Sequence, residues 1–347
     1  MTVVSTKPLG PPDRSPLFLK TCALALLGCL LLGPGSLAVA QETGLDRVSF
    51  IPQWAPQAQF AGYYVAFEKG FYRQHHLEVK IMRGGPEWPA SELVAQGRVD
   101  FGTMFLATGI EKRAQGTKLV NLAQIVQRSA LMLVARKGAG IQAPQDINGK
   151  KVGLWGEEFR LQPRAFFRKY HLQVQEVPQS ATLNLFLQGG VDVASAMWYN
   201  EYHLILNAGV NPEELTTFSM ADYGMNFPED GIYCLEETVR QHPERCRAFV
   251  AASLEGWRYA FAHPDEAIEI VMQYVRAANV ATDRVHQKWM LARMRDIIEP
   301  PGWDRPMGTL TPEAYARVAG VLKDNGLISY IPEFSHFYHT CVGPDEK

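Results

Sequence analysis

Short β-like runs alternate with helical stretches in the first part of the chain. The β-like runs are RVSFIPQ, LEVKIMRGG and VDFGTM, and the helix-like runs between them are FAGYYVAFEKGFY and PASELVAQG. Strands that are separated by helices are typical of βαβ units and of a parallel or mixed sheet. This part of the chain therefore predicts an α/β fold.

A second series of the same kind begins at KKVGLWG and continues through PRAFFRKYH, LQVQEVP, ATLNLFLQGG and VDVASAMW. Two segments, LVAQGRVDFGTM and LFLQGGVDVASAM, share a helix end, a glycine turn, an aspartate and a strand, which favours two similar lobes. We place a crossover between the lobes in the turn-rich segment GAGIQAPQDINGK. The predicted bounds are 41–134 and 226–347 for lobe 1 and 135–225 for lobe 2.

From GIYCLEE onward the pattern is dominated by helices. The helical runs are HPERCRAFVAASLEGWRYAFA, PDEAIEIVMQYV, TDRVHQKWMLARMRDII and TPEAYARVAGVLKDNG. Pro, Asp or Thr stands at or next to the start of each run, where these residues favour helix initiation. We expect these C-terminal helices to return and cover lobe 1.

The first 40 residues have the form of a secretory signal peptide. Scattered basic residues precede the apolar run TCALALLGCLLLGPGSLAVA, which is too short and too interrupted by Gly and Pro to span a membrane comfortably. The small residues Ala38 and Ala40 predict cleavage before Gln41, and a lipoprotein site at Cys29 is the alternative. We therefore expect export to the periplasm.

Charge and motif content exclude several classes of protein. The chain has 34 Lys and Arg against 36 Asp and Glu, so nothing favours nucleic-acid binding. Beyond the leader, Cys234, Cys246 and Cys341 form an odd set without CxxC spacing, which argues against a disulfide scaffold or a zinc site. His75 and His76 are predicted to lie at the surface. The GxSxG, HExxH, P-loop and GxGxxG signatures of enzymes are absent.

Ligands of open α/β sheets bind beyond the carboxyl ends of the strands, so the residues that follow each predicted strand are candidates for ligand binding. Trp54, Trp155 and Trp198 all stand at strand ends, where aromatic faces suit a flat ligand. Each of them alone is as well explained as an ordinary core residue.

A second group of candidates is the segment AMWYNEY, in which Tyr199, Asn200 and Glu201 offer a ring, an amide and a carboxylate. Glu229 and Asp230 add carboxylates on the turn FPEDG. Carboxylates beside an aromatic wall suit a ligand with amino or ring N–H donors. The alternative is a solvated loop with charged tips.

The segments QWAPQAQFAGYYVAFEKGFYRQHHLEVKI, GGPEWPASELVAQGRVDFGTM, DINGKKVGLW, SAMWYNEY and DYGMNFPEDGIY carry a family resemblance. They resemble the periplasmic solute-binding proteins of the thiamine-pyrimidine-precursor type, which are related to alkanesulfonate- and nitrate-binding proteins. The resemblance implies a type II periplasmic binding protein of two lobes, a Venus flytrap with two crossovers, that delivers a small solute to an ABC permease. It covers nearly the whole chain after the leader.

The same family includes a pyrimidine synthase that uses pyridoxal phosphate and carries a CCCFC motif, which this chain lacks. We therefore expect a binding protein and not an enzyme. We also expect the protein to have no cofactor and to act as a monomer. The resemblance further implies that Trp54 is one stacking wall, that Tyr199 or Trp198 is the opposite wall, and that Glu201 is a carboxylate exposed in the cleft.

The expected ligand is a thiamine pyrimidine precursor, with riboflavin as the alternative. The complete predicted ligand-binding set is Gln53, Trp54, Phe60, Tyr63, Thr103, Met104, Trp155, Trp198, Tyr199, Asn200, Glu201, Tyr223, Glu229 and Asp230.

Overall fold

The computed structural model describes residues 44–156 and 159–343. The predicted signal peptide and its cleavage point lie outside these residues. Within these residues, ten strands form two separate five-stranded sheets. The strands of the first sheet are β1 (Asp46–Ile51), β2 (Leu77–Ile81), β3 (Phe101–Phe105), β4 (Leu119–Gln124) and β10 (Asp230–Leu235). Their order is β2-β1-β3-β10-β4, in which β1 is parallel to β2 and β3, and β10 is antiparallel to both of its neighbours.

The second sheet repeats this plan. Its strands are β5 (Leu131–Arg136), β6 (Lys151–Leu154), β7 (Gln175–Pro178), β8 (Val193–Met197) and β9 (Leu215–Ser219). Their order is β7-β6-β8-β5-β9, and β5 is antiparallel to both β8 and β9. The mixed α/β class that the alternating pattern predicted is confirmed.

Thirteen α-helices lie within the described residues. They are α1 (Ala61–Glu68), α2 (Phe71–Gln74), α3 (Ala90–Ala95), α4 (Leu106–Ala114), α5 (Leu161–Lys169), α6 (Asn184–Leu187), α7 (Glu201–Asn207), α8 (Glu236–Gln241), α9 (Pro243–Ala262), α10 (Pro264–Ala277), α11 (Arg284–Ile298), α12 (Pro312–Asp324) and α13 (Phe334–Phe337).

The chain passes between the sheets twice, once in residues 125–130 and once in residues 220–229. The first passage lies before β5, whereas the sequence pattern placed it after that strand. The reason is that β4 and β5 have the same apolar character, so only the pairing of β5 with β8 and β9 assigns it to the second sheet. The second passage contains the predicted end of lobe 2.

The C-terminal helices return to the first sheet, where α9 and α10 pack on α1, α12 packs on α4, and α13 packs on β4. The crossing of α1 and α9 is close: a Cβ on Gly256 would lie 2.0 Å from the carbonyl oxygen of Gly62. Asp283 and Thr311 cap α11 and α12 by accepting hydrogen bonds from backbone N–H groups. The apolar core that results is continuous from the first sheet to residues of the second, such as Leu133, Val152 and Phe218.

No helix in the described part of the chain is long and apolar enough to cross a bilayer. Cys234, Cys246 and Cys341 are buried free thiols.

Candidate functional site

A pocket of about 310 Å³, including its mouth, lies where the carboxyl ends of strands from both sheets meet. It brings together residues from the loop after β1, the loop after β6 and the start of α7. Six residues of the predicted set line it: Gln53, Trp54, Trp155, Tyr199, Asn200 and Glu201. Segments far apart in sequence therefore form one site.

The walls of the pocket are aromatic. Trp54 meets Phe159 edge to face, with ring centroids 5.4 Å apart, and Trp155 at 6.4 Å. Phe105, at the end of β3, meets Phe159 at 5.2 Å. Rings contributed by segments of both sheets thus form one aromatic cluster in the pocket wall, which offers apolar surface to a planar molecule. We call this pocket the ring slot.

One polar group of a residue that lines the ring slot lacks a partner within the described part of the chain. The indole Nε1 of Trp155 is buried and makes no hydrogen bond within the described part of the chain, and Trp155 as a whole is 4% exposed. Leaving a buried donor unpaired costs about 1–3 kcal/mol. A ligand that offers a carbonyl oxygen or a ring nitrogen would remove that cost.

Glu201 supplies the carboxyl group of the ring slot. Its Oε2 accepts a hydrogen bond from the Met197 backbone N–H at 2.9 Å, and its Oε1 accepts one from Asn200 Nδ2 at 2.8 Å. Glu201 is 4% exposed, which corrects the expectation of an exposed carboxylate: the first turn of α7 folds it beneath the slot. Burial raises the pKa of Glu201 to about 7, and none of the groups that set this pKa is a cation.

Asp230 fixes the glutamines of the first loop. Its carboxyl oxygens accept hydrogen bonds from Gln53 Nε2 and, at 2.7 Å, from Gln59 Nε2. Gln57 Nε2 in turn donates to Gln59 Oε1 at 2.6 Å, and the hydroxyl of Thr103 accepts from the Gln53 backbone N–H at 2.9 Å. Asp230 and Thr103, which were predicted to bind ligand, hold the slot wall from behind.

Glu229 connects the two passages between the sheets. Its Oε1 accepts hydrogen bonds from the backbone N–H groups of Ala130 and Leu131 at 2.6 and 3.2 Å, and from Ser129 Oγ at 3.3 Å. Glu229 is not among the residues that line the ring slot. Burial raises its pKa to about 8 and that of Asp230 to about 7.

A hydrogen-bonded chain crosses from the slot to the C-terminal helices. His286 Nε2 lies 2.8 Å from Asn200 Oδ1, and His286 Nδ1 lies 2.8 Å from His203 Nδ1. Because an amide oxygen only accepts, His286 donates through Nε2 and accepts from His203 through Nδ1. Burial lowers the pKa of His286 to about 4, so the ring is neutral at pH 7. Since Asn200 also donates to Glu201, α11 is linked to the slot carboxyl.

The remaining members of the predicted set lie elsewhere. Phe60, Tyr63 and Met104 are core residues around the first sheet. Trp198 lies under the guanidinium of Arg293, 5.1 Å from its ring centroid, and does not line the slot. Tyr223 packs on Phe166 and Tyr170. Of the two alternatives for the second wall, the structure brings Tyr199 to the slot.

The prediction missed five lining residues: Gln57, Gln59, Phe105, Phe159 and Met197. Gln57 and Gln59 could have been identified from the sequence, because they are polar residues within an otherwise apolar segment after the first strand. Phe105 and Met197 are the last residues of strands and have no distinguishing pattern.

Known proteins resemble this chain in sequence and in fold. The profile of the family described as NMT1/THI5 like matches residues 57–267. The riboflavin-binding protein RibY of Chloroflexus aurantiacus is 28% identical over 256 residues, which is 70% of each chain. The formylaminopyrimidine-binding protein of Halalkalibacterium halodurans is 22% identical over 289 residues, covering 80% of this chain and 85% of that protein.

A 4-amino-5-hydroxymethyl-2-methylpyrimidine phosphate synthase of Saccharomyces cerevisiae is 22% identical over 246 residues, or 64% of this chain and 69% of that enzyme. Among solved structures, the alkanesulfonate-binding protein SsuA from Xanthomonas axonopodis pv. citri, bound to MOPS, superimposes with a TM-score of 0.65 at 11% identity. The match covers 85% of this chain and 98% of that chain. The fold is therefore that of the periplasmic binding proteins, as predicted.

Proposed function

The chain belongs to the NMT1/THI5-like family, and we propose that it is an exported binding protein that captures a planar nitrogen heterocycle for an ABC permease. The observation that carries the proposal is the ring slot. It combines aromatic walls, an unpaired donor at Trp155 and a buried carboxyl at Glu201. A heterocycle that carries an acceptor next to an N–H or amino donor satisfies both polar groups and stacks on the rings.

Two ligands of this class offer the donor and the acceptor that these polar groups require. A hydroxymethyl- or formylaminopyrimidine donates its amino group to Glu201 and accepts from Trp155 through a ring nitrogen. Riboflavin offers the same combination of one donor and one acceptor, in its case an imide N–H and a neighbouring carbonyl oxygen. Riboflavin is favoured by the 28% identical relative, which is named a riboflavin-binding protein. The pyrimidine is favoured by the relative that matches more of the chain, which is named a formylaminopyrimidine-binding protein.

A synthase activity fits this slot less well. The synthase-like use of pyridoxal phosphate needs a lysine that forms a Schiff base, and none of the residues that line the ring slot is a lysine. The CCCFC motif is also missing from the sequence. Addition of pyridoxal phosphate to the protein should therefore produce no Schiff-base absorbance.

The proposal includes the rest of the transport cycle. The protein is a periplasmic monomer whose amino terminus after export is Gln41, and its two lobes close on the ligand by bending at the two passages. Amino-terminal sequencing of exported material tests the first statement, and a lipid-modified Cys29 would contradict it. Small-angle scattering should detect compaction when ligand is added.

The slot itself is tested by a matched pair of substitutions. Trp155→Phe keeps an aromatic wall but removes the unpaired N–H, so calorimetric titration should give an affinity about tenfold lower for the cognate heterocycle. Trp198→Phe makes the same change outside the slot and should leave the affinity unchanged. Equal affinities for the two variants would refute the assignment of Trp155. Mass spectrometry of small molecules that co-purify with the protein identifies the ligand directly.

A further inference from the structure

Three carboxyl groups are buried in and behind the ring slot without a cationic partner in the described part of the chain. Glu201 lines the slot, and Glu229 and Asp230 stand outside its lining; they are 4%, 1% and 3% exposed. Burial raises the pKa of each, and none of the groups that set these three pKa values is a cation. Burial also raises the pKa of Tyr199 in the slot wall, and the charges of all three carboxyls raise it further. The three carboxyls therefore act on the same space.

A carboxylate that is removed from water needs a compensating charge, or it takes up a proton. The groups that donate to these three carboxyls are backbone N–H groups, side-chain amides and one hydroxyl, all of them neutral. They satisfy the oxygen atoms but bring no positive charge. Among the described residues that line the slot, none is a lysine, an arginine or a histidine. The slot thus has an acidic environment whose counter-charge the described chain does not supply.

The walls of the slot have the composition of a cation-binding site. Phe159 meets Trp54 at an interplanar angle of 89°, Phe105 at 85° and Trp155 at 74°. Rings at such angles present their faces in more than one direction. The face of an aromatic ring attracts a cation, most strongly for Trp and in a desolvated site, and quaternary ammonium groups are bound in aromatic cages of this kind.

We propose that the ligand of the ring slot is a cationic heterocycle, a planar ring whose positive charge comes from a protonated or N-alkylated ring nitrogen. This inference rests on the proposed function of the slot and adds the charge of the ligand. The cation lies against the aromatic rings and is the counter-ion of Glu201. An amino group of the ligand donates to Glu201, and an acceptor pairs with the unpaired N–H of Trp155.

The test compares rings that differ in one methyl group and in the charge that it fixes. The first pair is 4-aminopyrimidine and 4-amino-1-methylpyrimidinium, and the second is nicotinamide and 1-methylnicotinamide. Each methylated ring keeps an amino donor and a neighbouring acceptor. Calorimetric titration of the full exported chain at pH 8, where both parent rings are neutral, should give each cation an affinity at least about tenfold above that of its parent.

Two controls separate charge from shape. 4-Amino-6-methylpyrimidine carries a methyl group without the charge and should bind like 4-aminopyrimidine; an affinity equal to that of the cation would overturn the proposal. Near pH 7 the cation should also release more protons than its neutral parent, because it favours the ionised form of all three carboxyls. The release is measured in buffers of different ionisation enthalpy, and equal release by both rings would likewise count against the proposal.

A matched pair of variants tests the counter-ion. Glu201→Gln keeps the shape of the side chain and removes the nearest charge, so the preference for the cation over its parent should fall below about threefold. Glu213→Gln removes a charge at an exposed position outside the slot and should keep the wild-type preference. An unchanged preference in Glu201→Gln would overturn the assignment of Glu201 as counter-ion.

The outcomes separate the charge of the ligand from the proposed function. Equal affinity for charged and neutral rings, or binding of hydroxymethylpyrimidine or riboflavin without binding of either cation, would overturn the charge preference and leave the function of the ring slot standing. Failure of every one of these heterocycles to bind would overturn both. A cation preference in both pairs that Glu201→Gln removes would support the inference.

Discussion

Ligand affinity should depend on pH through Glu201. In the free protein its carboxyl is buried without a cationic partner, and burial raises its pKa to about 7. A ligand N–H donates to the ionised carboxylate and not to the proton-bearing oxygen of the acid. Binding therefore selects the ionised form and lowers the pKa of Glu201 in the complex.

The size of the effect follows from the fraction that is ionised. At pH 8 about nine tenths of Glu201 is ionised in the free protein, and at pH 6 about one tenth is, so the affinity should fall roughly tenfold from pH 8 to pH 6. Binding near pH 6 should release close to one proton. The release is measured by calorimetric titration in buffers that differ in their enthalpy of ionisation.

The control is Glu201→Gln, which keeps the shape of the side chain and removes its titration. Glu229 and Asp230 also have raised pKa values in this range, and the ligand can have titrating groups of its own. Any pH dependence of affinity that remains in Glu201→Gln is therefore due to Glu229, Asp230 or the ligand. The variant should also bind about tenfold to a hundredfold more weakly at pH 8, because it loses a charge-assisted hydrogen bond. The same tenfold pH dependence in wild type and variant would refute the role of Glu201.

Three further predictions concern stability and closure. Since the raised pKa of Glu201 means that the folded state holds its proton more tightly than the unfolded chain, the contribution of Glu201 to stability should fall by up to about 3 kcal/mol as pH rises from 4.5 to above 7. The raised pKa values of Glu229 and Asp230 act in the same direction, so a melting temperature of the free protein that rises over this range would contradict the prediction. Gly256→Ala should destabilise the fold by about 1–3 kcal/mol in urea titrations because of the close helix crossing, whereas Gly320→Ala, with open space around it, should be neutral or stabilising. His286→Ala removes the hydrogen bond to Asn200 and should weaken ligand binding by about fivefold to tenfold. His75→Ala, which loses a hydrogen bond with Glu255 outside the slot, serves as its control, and equal affinities of the two variants would refute the coupling.

Local pattern in the sequence was sufficient for the fold class and for some of the residues that line the candidate site. Strand and helix periodicities are properties of neighbouring residues, so the two βα series and the C-terminal helices could be read directly. Strand ends follow from the same pattern, and because ligands bind beyond them, Trp54, Trp155 and the segment from Tyr199 to Glu201 were found.

Tertiary structure decided everything that depends on pairing between distant segments. The sheet to which β5 belongs is set by hydrogen bonds to β8 and β9, not by its composition. Trp198 and Tyr199 are adjacent in sequence but lie on different sides of the chain, so only the packed structure shows which of them reaches the slot. Glu229 and Asp230 were both predicted to bind the ligand, but their hydrogen bonds differ. Glu229 accepts from the backbone N–H of Ala130 in the first passage, and Asp230 accepts from Gln59 in the loop after β1. The pKa of Glu201 depends on burial, which is the sum of contacts from both sheets and cannot be read from the residues beside it.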